Sequence, residues 1–270
     1  MSTTTIPLIA VITGSNRGIG HAIVQTLSTH RGPSPLIIYA TSRASFDLNV
    51  STRPPNEIRY AKLDISSRPS IRSFLSQLPH RDGGGGGGKI DILINNAGVN
   101  LDGEYNYENA RETFEVNYWG TRMVCELFLD EGGMSSAEGS GGLQKRIINI
   151  SSGASQLTIY SASITHRFRT IESLSSLDAM AEEYLSSVRA GTETRSGWNH
   201  REASYSVSKA FLNAATFLLG KEEKNREVLL NRCCPGWVDT DMGRQVGGGG
   251  KDALDGARIP VRLAVGDIRG

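Results

Sequence analysis

Six short runs of apolar, mostly β-branched residues punctuate the chain: Leu8–Thr13, Leu36–Thr41, Ile58–Leu63, Ile90–Ile94, Ile147–Ile150 and Leu229–Cys233. Apolar runs of this length predict strands buried on both faces. Longer segments of helical period separate them. Between the first two, Ile19, Ile23 and Leu27 recur at i, i+4 and i+8, one stripe of a helix. Strands that alternate with helices join by right-handed crossovers into a parallel sheet covered on both sides, an α/β fold. Such a sheet holds its ligands at the carboxyl ends of its strands.

Composition narrows the function classes. The 29 basic residues nearly cancel the 28 acidic ones, so no field steers the chain toward nucleic acid or an anionic membrane. No apolar run approaches the roughly 18 residues that span a bilayer. Met1–Ile6 lacks the pattern of a signal peptide. The three cysteines, Cys125, Cys233 and Cys234, are too few and too oddly placed for a disulfide framework. A cytoplasmic enzyme in a reducing compartment is the expectation. At 270 residues, a chain of this type folds as a single domain.

Three segments break the pattern: Gly83–Gly88, Glu131–Gly142 and Val246–Gly250. Glycine runs lose much entropy on ordering and bury little. None joins a strand to a helix, so all three read as flexible surface loops rather than phosphate cradles.

The turn after the first strand differs. Gly14-Ser15-Asn16-Arg17-Gly18-Ile19-Gly20 runs from strand into helix, the context in which a glycine motif has meaning. Gly14 permits a sharp turn, Gly18 lets backbone approach a pyrophosphate, and Gly20 lets the helix pack closely on the sheet. A carboxylate at the end of the next strand would grip a ribose 2′-hydroxyl. That strand instead ends Ala40-Thr41-Ser42-Arg43, with no acid before Asp47. Serine followed by arginine suits a 2′-phosphate, and Arg17 adds a second cation. NADPH/NADP+ is thus favoured over the NADH couple. Asp64 can accept from the adenine amino group and Ile65 can pack on the ring; Asp64 can equally cap a helix over Ser66–Leu78.

Reducing a carbonyl needs a hydride on carbon and a proton on oxygen. A nicotinamide brings the hydride, so the protein must supply the acid. A free tyrosine ionises near pH 10, and an ammonium one helical turn away stabilises its phenolate. Tyr205 and Lys209 have that i, i+4 spacing, on a helix predicted to continue through Leu219. Alone, such a pair is close to chance. Ser151-Ser152 follows the strand Ile147–Ile150, where a hydroxyl can donate to a substrate carbonyl. Asn95-Asn96-Ala97-Gly98 follows Ile90–Ile94; its small residues let backbone pass beneath a cofactor while its amides tie neighbouring strands. Asn117 lies in the helical stretch Thr113–Leu129, where a surface position is the default. Pro235-Gly236-Trp237-Val238-Asp239-Thr240 follows the sixth strand and can fold over a nicotinamide.

Taken together, Thr13–Gly20, Asn95–Gly98, Asn117, Ser152 and Tyr205/Lys209 resemble the short-chain dehydrogenase/reductase family, in family order and over most of the chain. The resemblance implies a single-domain Rossmann fold, a doubly wound parallel sheet of order 3-2-1-4-5-6. It also implies Tyr205 as acid/base, Lys209 on the nicotinamide ribose, Ser152 orienting the carbonyl, and Asn117 holding a proton-relaying water. Residues 153–204 separate serine from tyrosine, a far longer stretch than most members carry. Within it Phe168-Arg169, Ala179–Tyr184 and Gly197-Trp198, with Cys233-Cys234-Pro235-Gly236-Trp237-Val238, are similar to cytosolic NADPH-dependent carbonyl reductases. That likeness implies small-molecule ketone, aldehyde or quinone substrates. It implies also a helical insertion over 157–203 that covers a dimerisation surface, and hence a monomer. Leu174, Leu177, Met180, Tyr184 and Val188 have the spacing of such a covering helix. After Ala257–Ile268 the family usually adds a last strand, so the seventh strand is expected to be missing or incomplete. An NAD-linked alcohol dehydrogenase and a non-catalytic dinucleotide-binding sensor are the competing readings.

Overall fold

A computed structural model describes residues 6–45, 47–79, 90–135, 144–198 and 203–267. The central strand, β1 (Leu8–Thr13), is buried along its whole length. Its alternate side chains feed two separate cores, as a period of two dictates. Leu8, Ala10 and Ile12 point into one, and Ile9 and Val11 into the other. The chain then runs through α1 (Gly18–Ser28), β2 (Leu36–Ser42), β3 (Glu57–Lys62), α2 (Arg68–Gln77) and β4 (Ile92–Asn95). Helix α3 (Tyr107–Phe114), a π-helical stretch (Glu115–Gly120) and α4 (Thr121–Asp130) lead into β5 (Arg146–Ile150). After α5 (Ala162–Thr170), α6 (Leu174–Ala190) and α7 (Ser204–Lys221) come β6 (Leu229–Cys233), α8 (Asp241–Arg244) and α9 (Ala253–Val265).

All six strands are parallel in one sheet, ordered β3-β2-β1-β4-β5-β6. The order reverses between β1 and β4, opening the crevice in which a doubly wound sheet binds its ligand. Helices α1 and α9 cover one face, over Ile23, Leu27, Ala257 and Val261. Helices α2 and α4, with Leu219 of α7, cover the other, over Phe74, Val124 and Phe128. The fourth run starts pairing later than its composition suggests. Asp91 there is buried, and its carboxylate accepts from Ile9 N at 2.8 Å.

Helix α6 buries Leu177, Met180, Tyr184 and Val188 against Phe114, Tyr118, Phe211 and Leu218 of the neighbouring helices. Trp198 joins this third core, its ring centroid 5.0 Å from Tyr184 in an edge-to-face pair. The stripe expected of a covering helix is therefore present.

The three loops fare differently. Gly83–Gly88 and residues 136–142 of the second loop lie outside the described residues. The third loop is no free tether. Lys251 N donates to Trp237 O at 3.0 Å and Asp239 N to Lys251 O at 2.8 Å. A Cβ on Gly250 would fall 2.6 Å from Asp239 N, so at least one of these glycines is required for close approach. Among the described residues the sheet ends at β6, as expected for a missing seventh strand. Arg146 of β5 donates to Leu263 O (3.0 Å) and Gly266 O (2.7 Å), closing the carboxyl end of α9.

Candidate active site

The glycine turn leaves no room for side chains. Gly14 has φ +64°, and a Cβ there would sit 2.7 Å from Ala97 Cα; one on Gly20 would sit 2.3 Å from Gly14 O. Asn96 locks the contact, its Nδ2 donating to Thr13 O (3.1 Å) and Gly14 O (2.9 Å). The Thr13 hydroxyl accepts from Asn96 N and Ala97 N at 3.0 and 3.1 Å. Ser15 ties the turn to β2 through Thr41 O. Asn95 reaches sideways instead, donating to Asn149 of β5 at 2.8 Å. These amides tie strands together as expected. The residue preceding α1, Arg17, makes no side-chain cap, so the first amides of α1, at Gly18 and Ile19, point outward as donors.

At the end of β2, Arg43 is exposed, and no ion pair among the described residues includes it. Asp47 is turned away, accepting from Asn49 N at 2.7 Å. Arg17 pairs with Asp241 at 3.0 Å, with 72% and 59% of the two side chains exposed. Such a pair is weak and leaves the guanidinium available. Asp64 does not cap α2. Ser67 does, accepting from Ser70 N, while Asp64 accepts from Ser66 N (3.0 Å) and Ser66 Oγ (2.6 Å). The expectation for Ile65 also changes: it is 6% exposed and packs into the core, offering a ring little surface.

Tyr205 and Lys209 occupy successive turns of α7, with Lys209 Nζ 5.8 Å from the phenol ring centroid. The ammonium donates to Ile150 O, the last residue of β5, at 2.8 Å. Burial pushes it down to about 8. Burial also holds the Tyr205 phenol above its ordinary value, against a hydrogen bond from Ser152 that pulls it down. In the protein alone, then, burial outweighs any help from the ammonium, which is turned toward β5. The serine pair divides as expected. Ser151 is buried, its N–H held by Cys233 O at 2.8 Å, whereas Ser152 reaches the phenol.

Asn117 overturns the surface expectation. It is 0% exposed and lies in the π-helical stretch between α3 and α4, an irregularity common at functional positions. Its Oδ1 accepts from Val99 N (2.9 Å), and its Nδ2 donates to Val99 O (2.8 Å) and Ser208 Oγ (3.0 Å). Gly98 faces both polar groups: a Cβ there would lie 3.1 Å from Asn117 Oδ1 and 3.5 Å from Lys209 Nζ.

The segment after β6 returns to the glycine turn. Pro235 and Val238 are buried and Gly236 has φ +82°. The methyl of Thr240 would lie 3.1 Å from a Cβ on Gly18, while its hydroxyl caps α8 by accepting from Gly243 N at 3.1 Å. Reading the sequence missed Cys234. Its sulfur accepts from Gly153 N (3.0 Å) and Gly236 N (3.3 Å), near enough to Tyr205 and Lys209 to raise both. Adjacent cysteines carry no signal of that placement.

Comparison with known proteins agrees with this arrangement. The family model described as short chain dehydrogenase matches residues 8–164. Carbonyl reductase [NADPH] 3 of Rattus norvegicus is 30% identical over 95% of this chain and 90% of its own. The (+)-neomenthol dehydrogenase of Arabidopsis thaliana is 29% identical over 96% and 92%. Salutaridine reductase from Papaver somniferum superposes with a TM-score of 0.75 at 26% identity, covering 96% of this chain and 95% of its own. The NADPH bound carbonyl reductase from chicken fatty liver shares the fold with a TM-score of 0.61 at 20% identity, covering 98% and 90%. On its motifs, its sheet and these relatives, this chain belongs to the short-chain dehydrogenase/reductase family.

Proposed function

We propose that the protein reduces a ketone, aldehyde or quinone to an alcohol with NADPH, using Tyr205 as general acid. One observation carries this reading: Tyr205 and Lys209 stand on successive turns of α7, Lys209 Nζ 5.8 Å from the phenol ring and bonded to Ile150 O at the carboxyl end of β5, with the Ser152 hydroxyl near enough to lower the phenol. The residues fit the cofactor. A turn with no room for a Cβ at Gly14 or Gly20, an uncapped helix start and the cations Arg17 and Arg43 suit a pyrophosphate and a 2′-phosphate. Gly14–Gly20, Asp64 and Asn96–Gly98 would hold the adenosine and pyrophosphate side. Lys209 and Pro235–Thr240 would hold the nicotinamide side. The relatives named carbonyl reductase [NADPH] support the same choice. When bound, NADPH supplies a hydride to the carbonyl carbon.

The chain's own residues do the rest. Ser152 Oγ donates a hydrogen bond to the carbonyl oxygen and orients it, and Tyr205 OH gives that oxygen its proton. A phenol held protonated suits reduction, because it arrives at the substrate as an acid. Lys209 waits to stabilise the phenolate left behind, and Asn117 holds the floor of the site by clamping Val99. Three free thiols fit a reducing cytoplasm, and a monomer fits the covered face of α3 and α7.

The test is a panel of ketones, aldehydes and quinones incubated with NADPH or NADH, following loss of reduced-nicotinamide absorbance. NADPH oxidation is expected. Tight NADPH binding without turnover would favour a dinucleotide sensor, and a preference for NADH would favour the NAD-linked reading. Tyr205→Phe is expected to abolish turnover while leaving NADPH affinity near normal; a variant that keeps most activity would remove Tyr205 from the acid role.

A further inference from the structure

Helix α7 begins without a cap of its own. Ala203 occupies the capping position and has no side-chain acceptor, so the first amides of the helix need a partner from elsewhere. That partner is Asp102, in a short 3-10 turn after β4. One carboxylate oxygen accepts from Ser204 Oγ, and the other accepts from Tyr205 N at 3.0 Å. Asn100 in turn steadies Asp102, its Oδ1 accepting from Asp102 N at 3.1 Å.

The position of Asp102 in the chain gives these bonds a consequence. Asp102 belongs to the segment that starts at Asn96–Gly98 under the glycine turn and passes Val99, which Asn117 clamps from both sides. Its carboxylate therefore joins the cofactor side of the site to the first turn of α7, where Tyr205 sits. We propose that Asp102 is a positioning residue for Tyr205: its two hydrogen bonds set where the phenol stands over the cofactor floor. This inference rests on the reductase reading for its bearing on turnover, but the contact with Tyr205 does not depend on it.

The charge acts in company. Around Tyr205 stand Lys209 from α7, Cys234 from the segment after β6, and Asp102. Behind Asp102 lie Tyr105 and Tyr184, and Tyr105 donates to the buried Glu193 at 2.8 Å. Asp102 works on Tyr205 in the same direction as burial, raising it. Removing the carboxylate charge must move ionisation of Tyr205 to lower pH. Reduction needs the protonated phenol, so the alkaline limb of its pH profile must move the same way.

The experiment compares wild type, Asp102→Asn and Asp102→Ala, each with and without Tyr205→Phe. The tyrosinate absorbance that Tyr205→Phe removes reports ionisation of Tyr205 with no substrate present. Asp102→Asn retains a shape that can still hold Ser204 and Tyr205 N. It is expected to shift that ionisation to lower pH, and to shift the alkaline limb of NADPH-dependent reduction with it. Asp102→Ala is expected to lower kcat about tenfold or more, with NADPH affinity within about twofold of wild type. Should the alanine variant fail to fold, the asparagine variant decides alone. An unshifted tyrosinate titration with unchanged kcat would overturn the proposal, even if thermal stability falls. A shifted titration in a protein that oxidises no NADPH would uphold the hold on Tyr205 and sink the reductase reading.

Discussion

At the scale of single residues, Lys209 shows what the site costs. Burial holds its ammonium down to about 8 from an ordinary 10.5. At about 1.4 kcal/mol per pH unit, that gap amounts to roughly 3 kcal/mol of preference for the neutral amine. Below pH 8 the lysine is charged in both the folded and the unfolded chain, and the whole cost is present. Between about 8 and 10.5 the folded amine is neutral while the unfolded one still binds its proton, so stability rises with pH over that window. Lys209→Met removes the group, and with it this dependence. The stability of the variant relative to wild type is expected to be greatest at pH 7 and to shrink by pH 9.5, as read from urea unfolding at the two values. The absolute offset also contains the lost bond to Ile150 O, which is why the change with pH is the informative quantity. A difference that stays constant or grows with pH would mean Lys209 is not held down by burial. Holding an ammonium at such a cost, one turn from the phenol proposed as the acid, fits the proposed reduction better than a purely structural role.

Elements explain how far the chain could be read. The central strands were legible because both sheet faces are buried there, which forces a continuous apolar run such as Leu8–Thr13, whereas the edge strand Leu229–Cys233 is only half-buried and carries Asn231 and Arg232. Helix α6 was legible because it buries one stripe only. The π-helical stretch was not, since a shift in hydrogen-bond register leaves no mark on composition; Asn117 therefore read as surface when it is the buried clamp of Val99. Asp102 was illegible for another reason: it caps a helix 102 residues further along the chain, a tertiary relation that no local pattern encodes. Ile65 carries no distinguishing mark, because an apolar residue suits a ring and a core equally well, and its side chain packs into the core. The glycine turn was legible, and its tolerances are now explicit. Gly20→Ala places a methyl 2.3 Å from Gly14 O and 2.4 Å from Asn96 Nδ2. Helix α1 must then shift off the sheet, an overpacking that costs about 1–3 kcal/mol. The expected result is a lower urea midpoint together with NADPH binding weakened roughly tenfold or more, read by fluorescence titration. Unchanged binding in a destabilised protein would show that the turn serves packing alone.

For the whole molecule, the question is whether the third core leaves a face for a second copy. Helix α6 lies over α3 and α7, where Phe114, Tyr118 and Phe211 would otherwise be bare. Its seat is polar as well as apolar. Asp178 of α6 accepts from Arg122 Nη1 at 2.7 Å, from Tyr118 OH at 2.9 Å and from Trp119 Nε1 at 2.8 Å. A half-buried carboxylate with three donors fixes the helix at one register, while the aromatic cluster supplies the burial. Large apolar residues that remain exposed, among them Ile6, Phe217, Trp237 and Ile259, are dispersed over several elements. Scattered exposure of this kind calls for no partner. Sedimentation equilibrium at micromolar concentration is therefore expected to give one species near 29.2 kDa. A species of twice that mass would exclude the covered face as its cause, since α6 would have to leave its core. It would direct attention instead to the two edge strands of the sheet among the described residues, β3 and β6, because an open edge is a template for pairing. Substituting Arg232, the most exposed residue of β6, by proline would then test that edge: a monomer would be unaffected in mass, a dimer paired through β6 would dissociate, and one paired through β3 would persist.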